Sequence, residues 1–334
     1  MYKLISLLIA VTLISWFTMS QAQNQTITDQ NNFATEQQQV EENLDSLLSL
    51  WYIKNSLSDN NVSQSTDMVG INFDIPDSVY MQRLAAIPTT FPLVYNEQVR
   101  KWIELYAKRG KYLIPTLLGL SDYYFPLFEE VLDANDIPLE LKYLPIVESA
   151  LNPRAVSPAG AVGFWQFLDG TAKEYGLEVN KEVDERYHIE KSTYAFCKYV
   201  RQSYNKYGSW TLAAASYNGG MARVQSQQNR QKMTSYYDLQ FVEETQRYVF
   251  RITALKLILE NPKQYNFVIE EDEKYPVIKT REVNIDGTIN SFADFAIENG
   301  INYKLLKDFN PWLRDDKLTN SAGKLYSIRI PVLK

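Results

Sequence analysis

The sequence holds one cysteine, Cys197, and one histidine, His188. A single Cys closes no intramolecular disulfide and builds no Cys-rich zinc site, and a single His leaves little scope for a His-dependent zinc centre or a Ser-His-Asp triad. No metal and no cofactor are expected. Basic residues are also in short supply: 34 Lys and Arg stand against 40 Asp and Glu, a formal net charge of −6, with no long Lys/Arg run. A broad basic face that would bind nucleic acid by counterion release has no compositional support. What the chain does have is 334 residues at 45% hydrophobic and 13% aromatic content, enough for one large or two modest cores, with an ordinary charged fraction of 22%. Global disorder and a fibrous repeat are excluded. Among common hydrolytic mechanisms, carboxylate chemistry is what remains.

Lys3, the apolar run at residues 4–17 and the small-x-small pattern Ser20-Gln21-Ala22 predict a secretory signal peptide over residues 1–22. The run is short of the roughly 20 residues that span a bilayer. Membrane association is expected only if the signal stays uncleaved, and no Cys near residue 22 offers a lipid attachment site. The expected product is an acidic monomer in the periplasm or cell envelope. Residues 23–74 read as a flexible leader: 23–39 are rich in Gln, Asn and Thr, residues 40–57 carry a short helix marked by Leu44, Leu47, Leu48 and Trp51, and 58–72 turn polar again. From residue 75 to about 265, helical stretches alternate with Pro or Gly punctuation and no period-2 pattern appears, which predicts an all-α body. Residues 275–334 change character. Two β-prone segments, 275–283 and 326–332, flank the helical SFADFAIENGI and YKLLKDFNPWL, a β-α-α-β module.

Three segments of the body place polar residues where burial is expected. In PLELKYLPIVESALNPRA, residues 138–155, Leu141, Leu144, Glu148 and Leu151 follow at helical spacing, so Glu148 falls on the apolar stripe, and Pro145 kinks or restarts the helix. A desolvated carboxyl there has the raised pKa that a general acid needs near neutrality. The alternative is a Glu at a frayed helix end, turned to water or paired with Arg154. In SPAGAVGFWQF, residues 157–167, Gly160 and Gly163 allow tight backbone geometry and Gln166 lies between Trp165 and Phe167; this is either a sugar-binding surface or plain core with the amide outside. In WTLAAASYNGGMARV, residues 210–224, small residues permit close helix packing, and Tyr217 and Asn218 precede a Gly stop. Further on, the stripe Phe241, Thr245, Tyr248, Ile252, Leu255, Leu259 points the Tyr248 hydroxyl inward, where it needs a partner. His188 reads as a surface residue at a helix start and Cys197 as a small core residue.

Taken together, PLVYNEQVRKWIELY, the long run from GLSDYYFP through VESALNPRAVSPAGAVGFWQF, then VDERYHIEKS, AAASYNGG and ETQRYV resemble the lytic transglycosylases of the soluble-transglycosylase, goose-lysozyme-like superfamily, membrane-bound D type. The resemblance runs over residues 92–254 and implies a lysozyme-like all-α catalytic domain with an N-terminal helical extension. It implies Glu148 as catalytic acid/base, Ser149 as a hydrogen-bonding helper for the carboxylate or sugar, Gln166, Tyr217 and Asn218 as substrate-binding residues, and Tyr248 as the Tyr that bonds the acid. Phe164, Leu168 and Gly220-Met221 depart from the usual pattern. The implied reaction cleaves the MurNAc-GlcNAc β-1,4 bond of peptidoglycan glycan strands without water, leaving 1,6-anhydro-MurNAc ends. Two alternatives stay open: a goose-type lysozyme hydrolase using a second carboxylate such as Asp169, Asp184 or Glu185, and a catalytically inactive peptidoglycan-binding scaffold. The terminal module resembles a divergent LysM domain, which implies glycan binding that raises local substrate concentration.

Overall fold

The computed structural model describes residues 75–268 and 278–333, together with Thr35 and Gln38. The expected signal peptide at 1–22 and the leader at 23–74 lie outside these residues apart from those two positions. The body opens with α1 (Asp77–Ala86) and the long α2 (Glu97–Asp133). Asn96 starts α2 by accepting a hydrogen bond from the Val99 amide, which satisfies one of the free donors of the first turn. Val99, Ile103, Ile114, Leu117, Phe128 and Leu132 are buried along α2 and make it the spine of the main core.

A 3-10 turn (Leu139–Tyr143) leads into the short α3 (Leu144–Ser149), with Pro145 in its first turn, so the proline restarts the helix. After α4 (Asp169–Glu174) come α5 (Ile189–Tyr207), α6 (Trp210–Gly219), α7 (Met221–Gln231) and α8 (Glu243–Glu260). Ser209 caps α6, and Gly220, at φ +85°, ends it. Ala213, Ala214 and Ala215 are fully buried, and α6 packs against both α5 and α8 through this small-residue face. The predicted close packing is what brings α8 near the end of α6.

The terminal segment contains β1 (Thr280–Ile285), α9 (Phe292–Glu298), α10 (Tyr303–Phe309) and β2 (Tyr326–Pro331), the expected order. β1 and β2 pair antiparallel from Thr280 opposite Pro331 to Ile285 opposite Tyr326. β1 therefore runs two residues past the expected end at Val283. A second core forms around Phe292, Leu305, Leu306, Leu313, Ile328 and Ile330. It also takes in Val162, Val183 and Tyr187, which belong to the body's connection between α3 and α5. Apart from isolated bridges, β1 and β2 are the strands among the described residues, and the mainly α class stands. No described helix is long and apolar enough to cross a membrane.

Candidate active site

Leu141, Leu144 and Leu151 are fully buried, but the expected single helical stripe is broken: Leu141 lies in the 3-10 turn before α3 and Leu151 in the left-handed turn after it, and only Leu144 shares α3 with Glu148. Tyr248, itself 0% exposed, donates its hydroxyl to Glu148 Oε1 from the facing α8. Arg154, the alternative partner, instead pairs with Asp308. Glu148 keeps part of its surface open, enough to meet a substrate, while protein atoms crowd its carboxyl. Desolvation pushes its pKa from 4.5 up to about 7, against the lowering effects of the Tyr248 hydrogen bond and the Arg251 charge. Glu244 adds a further raising charge.

The sequence reasoning missed Arg251, one helical turn beyond Tyr248 on α8. Its guanidinium donates to the Tyr106 hydroxyl at 3.3 Å and the Val147 carbonyl at 3.4 Å, pairs with Glu244 at 3.3 Å and lies 5.2 Å from the Trp102 ring. It thus lays a fixed positive charge beside α3. The available signal was its i+3 position from Tyr248, which places both on one helix face.

Ser149, whose hydroxyl is expected to help the carboxylate or the sugar, has main-chain partners. Its buried hydroxyl faces the main-chain carbonyls of Pro145, at 2.9 Å, and Phe164, at 3.1 Å. The next two residues, Ala150 and Leu151, adopt φ of +53° and +62°. This left-handed turn stops α3 one residue after the Glu-Ser pair, and its strain is held by the buried Ser149 and Leu151. Of the two readings of Trp165 and Phe167, the structure takes the core one. Both are core residues, Trp165 stacked on Phe196 at 3.8 Å with its indole N–H donating to Thr193 Oγ1 at 2.9 Å. Gln166 stays partly exposed between them, at φ +50°, with Nε2 donating to the Gly163 carbonyl at 2.9 Å.

Tyr217 donates to the Trp165 carbonyl at 2.6 Å, with ring contacts to Phe167, Phe196 and Tyr199. Burial raises its hydroxyl pKa well above the usual value, and the negative charge of Glu148 raises it further. Asn218 Oδ1 accepts from Thr245 Oγ1 at 2.8 Å, while its side chain remains partly exposed. Gly219 permits that approach, since a Cβ there would lie 2.9 Å from Thr245 Oγ1. Four contacts therefore stitch the site: Tyr248 to Glu148, Ser149 to Phe164, Tyr217 to Trp165 and Thr245 to Asn218. They tie α3, the 157–167 loop, α6 and α8 into one frame around a single raised carboxyl.

The other candidate acids have partners of their own. Asp169 pairs with Lys173 at 2.9 Å on the surface, and Asp184 with Arg186 at 2.8 Å. Glu185 is buried, held by Lys191 at 2.5 Å and Lys324 at 3.3 Å, and accepts from the Glu178 amide. His188 is not a surface residue. Its imidazole lies 5.4 Å from the Trp312 ring, and burial pushes its pKa down to about 3. It lines a cavity of about 380 Å³ between body and terminal segment, along with Tyr123, Arg154, Trp312 and Arg329. Glu148 is not among the residues that line this cavity. Cys197 is buried in the core.

One local feature makes a direct test. Gly163 sits at φ +78°, and a Cβ there would stand 2.3 Å from the Arg186 carbonyl oxygen, which is backbone and cannot swing away. Gly163→Ala combines overpacking with a left-handed alanine and is expected to cost about 2–4 kcal/mol. Thermal unfolding should show a Tm lower by several degrees, and an unchanged Tm would mean that the loop does not hold this conformation.

The chain matches the transglycosylase SLT domain over residues 127–240 and the soluble lytic transglycosylase C-terminal LysM-like domain over residues 281–334. It is 32% identical over 237 residues to membrane-bound lytic murein transglycosylase D of Escherichia coli K12, covering 69% of this chain and 51% of that protein. It is also 30% identical over 103 residues to a putative tributyltin chloride resistance protein of an Alteromonas species, covering 30% of this chain and 49% of that one. The chain thus spans about half the length of the curated relatives it matches. Among solved structures, the 70 kDa soluble lytic transglycosylase of Escherichia coli aligns at 16% identity and a TM-score of 0.36, covering 71% of this chain and 46% of that one.

Proposed function

We propose, from the match of residues 127–240 to the transglycosylase SLT domain and of residues 281–334 to the soluble lytic transglycosylase C-terminal LysM-like domain, that the protein is a peptidoglycan lytic transglycosylase of the cell envelope. Its transglycosylase unit is read as residues 75–265 and its glycan-binding module as residues 275–334. The observation that carries the reading is the buried pairing of Tyr248 with Glu148, a carboxyl whose pKa of about 7 leaves it substantially protonated at neutral pH. Ordinary glycosidases divide the work between two carboxyls, about 5 Å apart for retention and wider for inversion. Here one acid is raised, and the rival acids Asp169, Asp184 and Glu185 are engaged elsewhere.

Protonated Glu148 gives its proton to the glycosidic oxygen between MurNAc and GlcNAc, and the C1–O bond breaks. The carboxylate left behind takes the proton of the muramic C6 hydroxyl as that oxygen closes on C1, which forms the 1,6-anhydro ring and restores the acid. No water is consumed. Tyr248 and Arg251 stabilise the carboxylate between the two steps, and desolvation returns it to the acid form. Gln166 and Asn218, with partly exposed amides, are assigned to the sugars; Ser149 and Tyr217 hold the frame.

Digestion of purified sacculi, with the products identified by mass spectrometry, tests this. The expected muropeptides end in 1,6-anhydro-MurNAc and are lighter by one water than hydrolysed ones. Reducing muramic ends would instead identify a lysozyme-type hydrolase, and no release at all a binding scaffold.

A further inference from the structure

The terminal module is bonded to the body rather than tethered to it, most densely along residues 178–187, with further ion pairs from Asp308 to Arg154 and from Arg329 to Glu190. Val183 and Leu313 form a β-bridge, the Asp184 amide donates to the Trp312 carbonyl at 2.9 Å, and the Arg314 amide donates to the Glu182 carbonyl at 2.7 Å. Thr319 gives both its amide and its hydroxyl to the Glu182 carboxylate, at 2.6 and 3.0 Å. Lys324 reaches Glu178 and Glu185, and the Tyr326 hydroxyl donates to Glu178 at 2.9 Å. Val183 and Tyr187 are buried in the module's own core. Strand-like pairing, buried apolar contact and ion pairs together describe a fixed joint.

That joint leads to the active site through Arg186. Its Nε and Nη2 bind Asp184 at 2.9 and 2.8 Å, and its Nη1 reaches the carbonyls of Gly160, at 3.1 Å, and Phe167, at 3.3 Å. These carbonyls flank the loop that carries Gln166. The Arg186 carbonyl is also the surface on which Gly163 rests. We propose that the LysM-like module is a structural wall of the active site: it fixes residues 182–184, and Arg186 passes that constraint to residues 160–167, so that Gln166 is held in its left-handed conformation. Arg186 is a positioning residue in this scheme, and the scheme rests on the assignment of Gln166 to substrate.

A module that only tethers the enzyme to its polymer would matter for insoluble sacculi alone, because only the polymer offers both sites at once. A wall matters for every substrate. Three full-length variants separate these cases: Arg186→Gln, Arg186→Lys, and Thr319→Val combined with Lys324→Met, which loosens the joint from the module side. Wild-type protein that forms anhydro ends on a short soluble glycan establishes the reaction first. On that glycan, Arg186→Gln is expected to lower kcat and raise KM, with kcat/KM down by about 10-fold or more, and Arg186→Lys to recover part of the loss. The double variant should give a smaller loss of the same kind. In all three the pH limb set by Glu148 should stay near 7, since Tyr248 and Arg251 are untouched.

Hydrogen exchange gives a readout independent of any activity. The amides of Val162 and Phe167, which bond each other's carbonyls at 3.1 and 3.2 Å, should exchange about 10-fold faster in the variants while α8 is unchanged. Unchanged exchange at these amides, or soluble-glycan kinetics like wild type in the double variant, overturns the proposal. If Arg186→Gln lowers global stability, the double variant, which leaves the body's sequence intact, decides the matter.

Discussion

Glu148→Gln is expected to lower turnover of peptidoglycan by at least about 10²-fold while leaving binding to sacculi intact, because the amide keeps the shape but neither gives nor takes the proton. Tyr248 still finds an acceptor in the Gln oxygen, so the frame around position 148 should persist. The same variant should change stability with a definite pH dependence. The folded pKa of Glu148, about 7, lies above its ordinary 4.5, so the native state binds more protons than the unfolded chain between those values. Stability therefore falls as pH rises from about 4.5 to about 7, and the deficit is complete above that range. At 1.36 kcal/mol per pH unit, the upper bound is about 3 kcal/mol. Glu148→Gln removes the deficit. Its Tm should exceed that of the wild type at pH 8, and the gap should close toward pH 4. Measuring Tm for both proteins across that range checks the assignment without any substrate, and a gap that does not depend on pH would show that Glu148 is not desolvated. Activity near wild type would remove it from the mechanism.

Tyr248→Phe is expected to slow the reaction by about 10- to 150-fold. The ring keeps its place in the core, and the loss is one hydrogen bond to a charged group, worth roughly 1.5–3 kcal/mol if expressed wholly in the transition state. Tyr248 lowers the pKa of Glu148, so its removal lets desolvation raise that pKa beyond about 7. Activity requires the protonated acid at the start, so the alkaline limb of kcat/KM should move to higher pH. A rate and pH profile like those of the wild type, with a lowered Tm, would make Tyr248 a core tyrosine whose bond to Glu148 does no chemistry.

The sequence carried Tyr248 as an inward group, because helix periodicity decides which face of α8 a residue takes; for Glu148 periodicity left two readings open, and the short α3 with its left-handed stop is not a helical stripe. The sequence left open whether Trp165 and Phe167 serve sugar or core, and did not show what Ser149 bonds, because a side chain's partner depends on what packs against its helix. Ser149 has two main-chain carbonyls beside it, and Trp165 has Phe196. Arg251 was passed over since its worth lies in Val147 and Tyr106, distant in sequence but adjacent across the junction of α8 with α2 and α3. His188 was placed at the surface from its position before a helix. The terminal module covers it, and no local pattern encodes that covering.

By itself, then, the sequence determined the all-α body and the β-α-α-β order of the terminal segment, and it narrowed the expected chemistry to a carboxylate. Each of these follows from periodicity, punctuation or a scarcity of Cys and His, all of which are local or compositional. The tertiary structure alone decided that Arg154 turns to Asp308, that Ser149 and Tyr217 spend their hydroxyls on main-chain carbonyls, and that the module is joined to residues 182–184. These are pairings between residues up to 154 apart in the sequence. Hydrogen bonds and charges act only over a few ångströms, so such pairings exist only once the packed helices have brought their ends together.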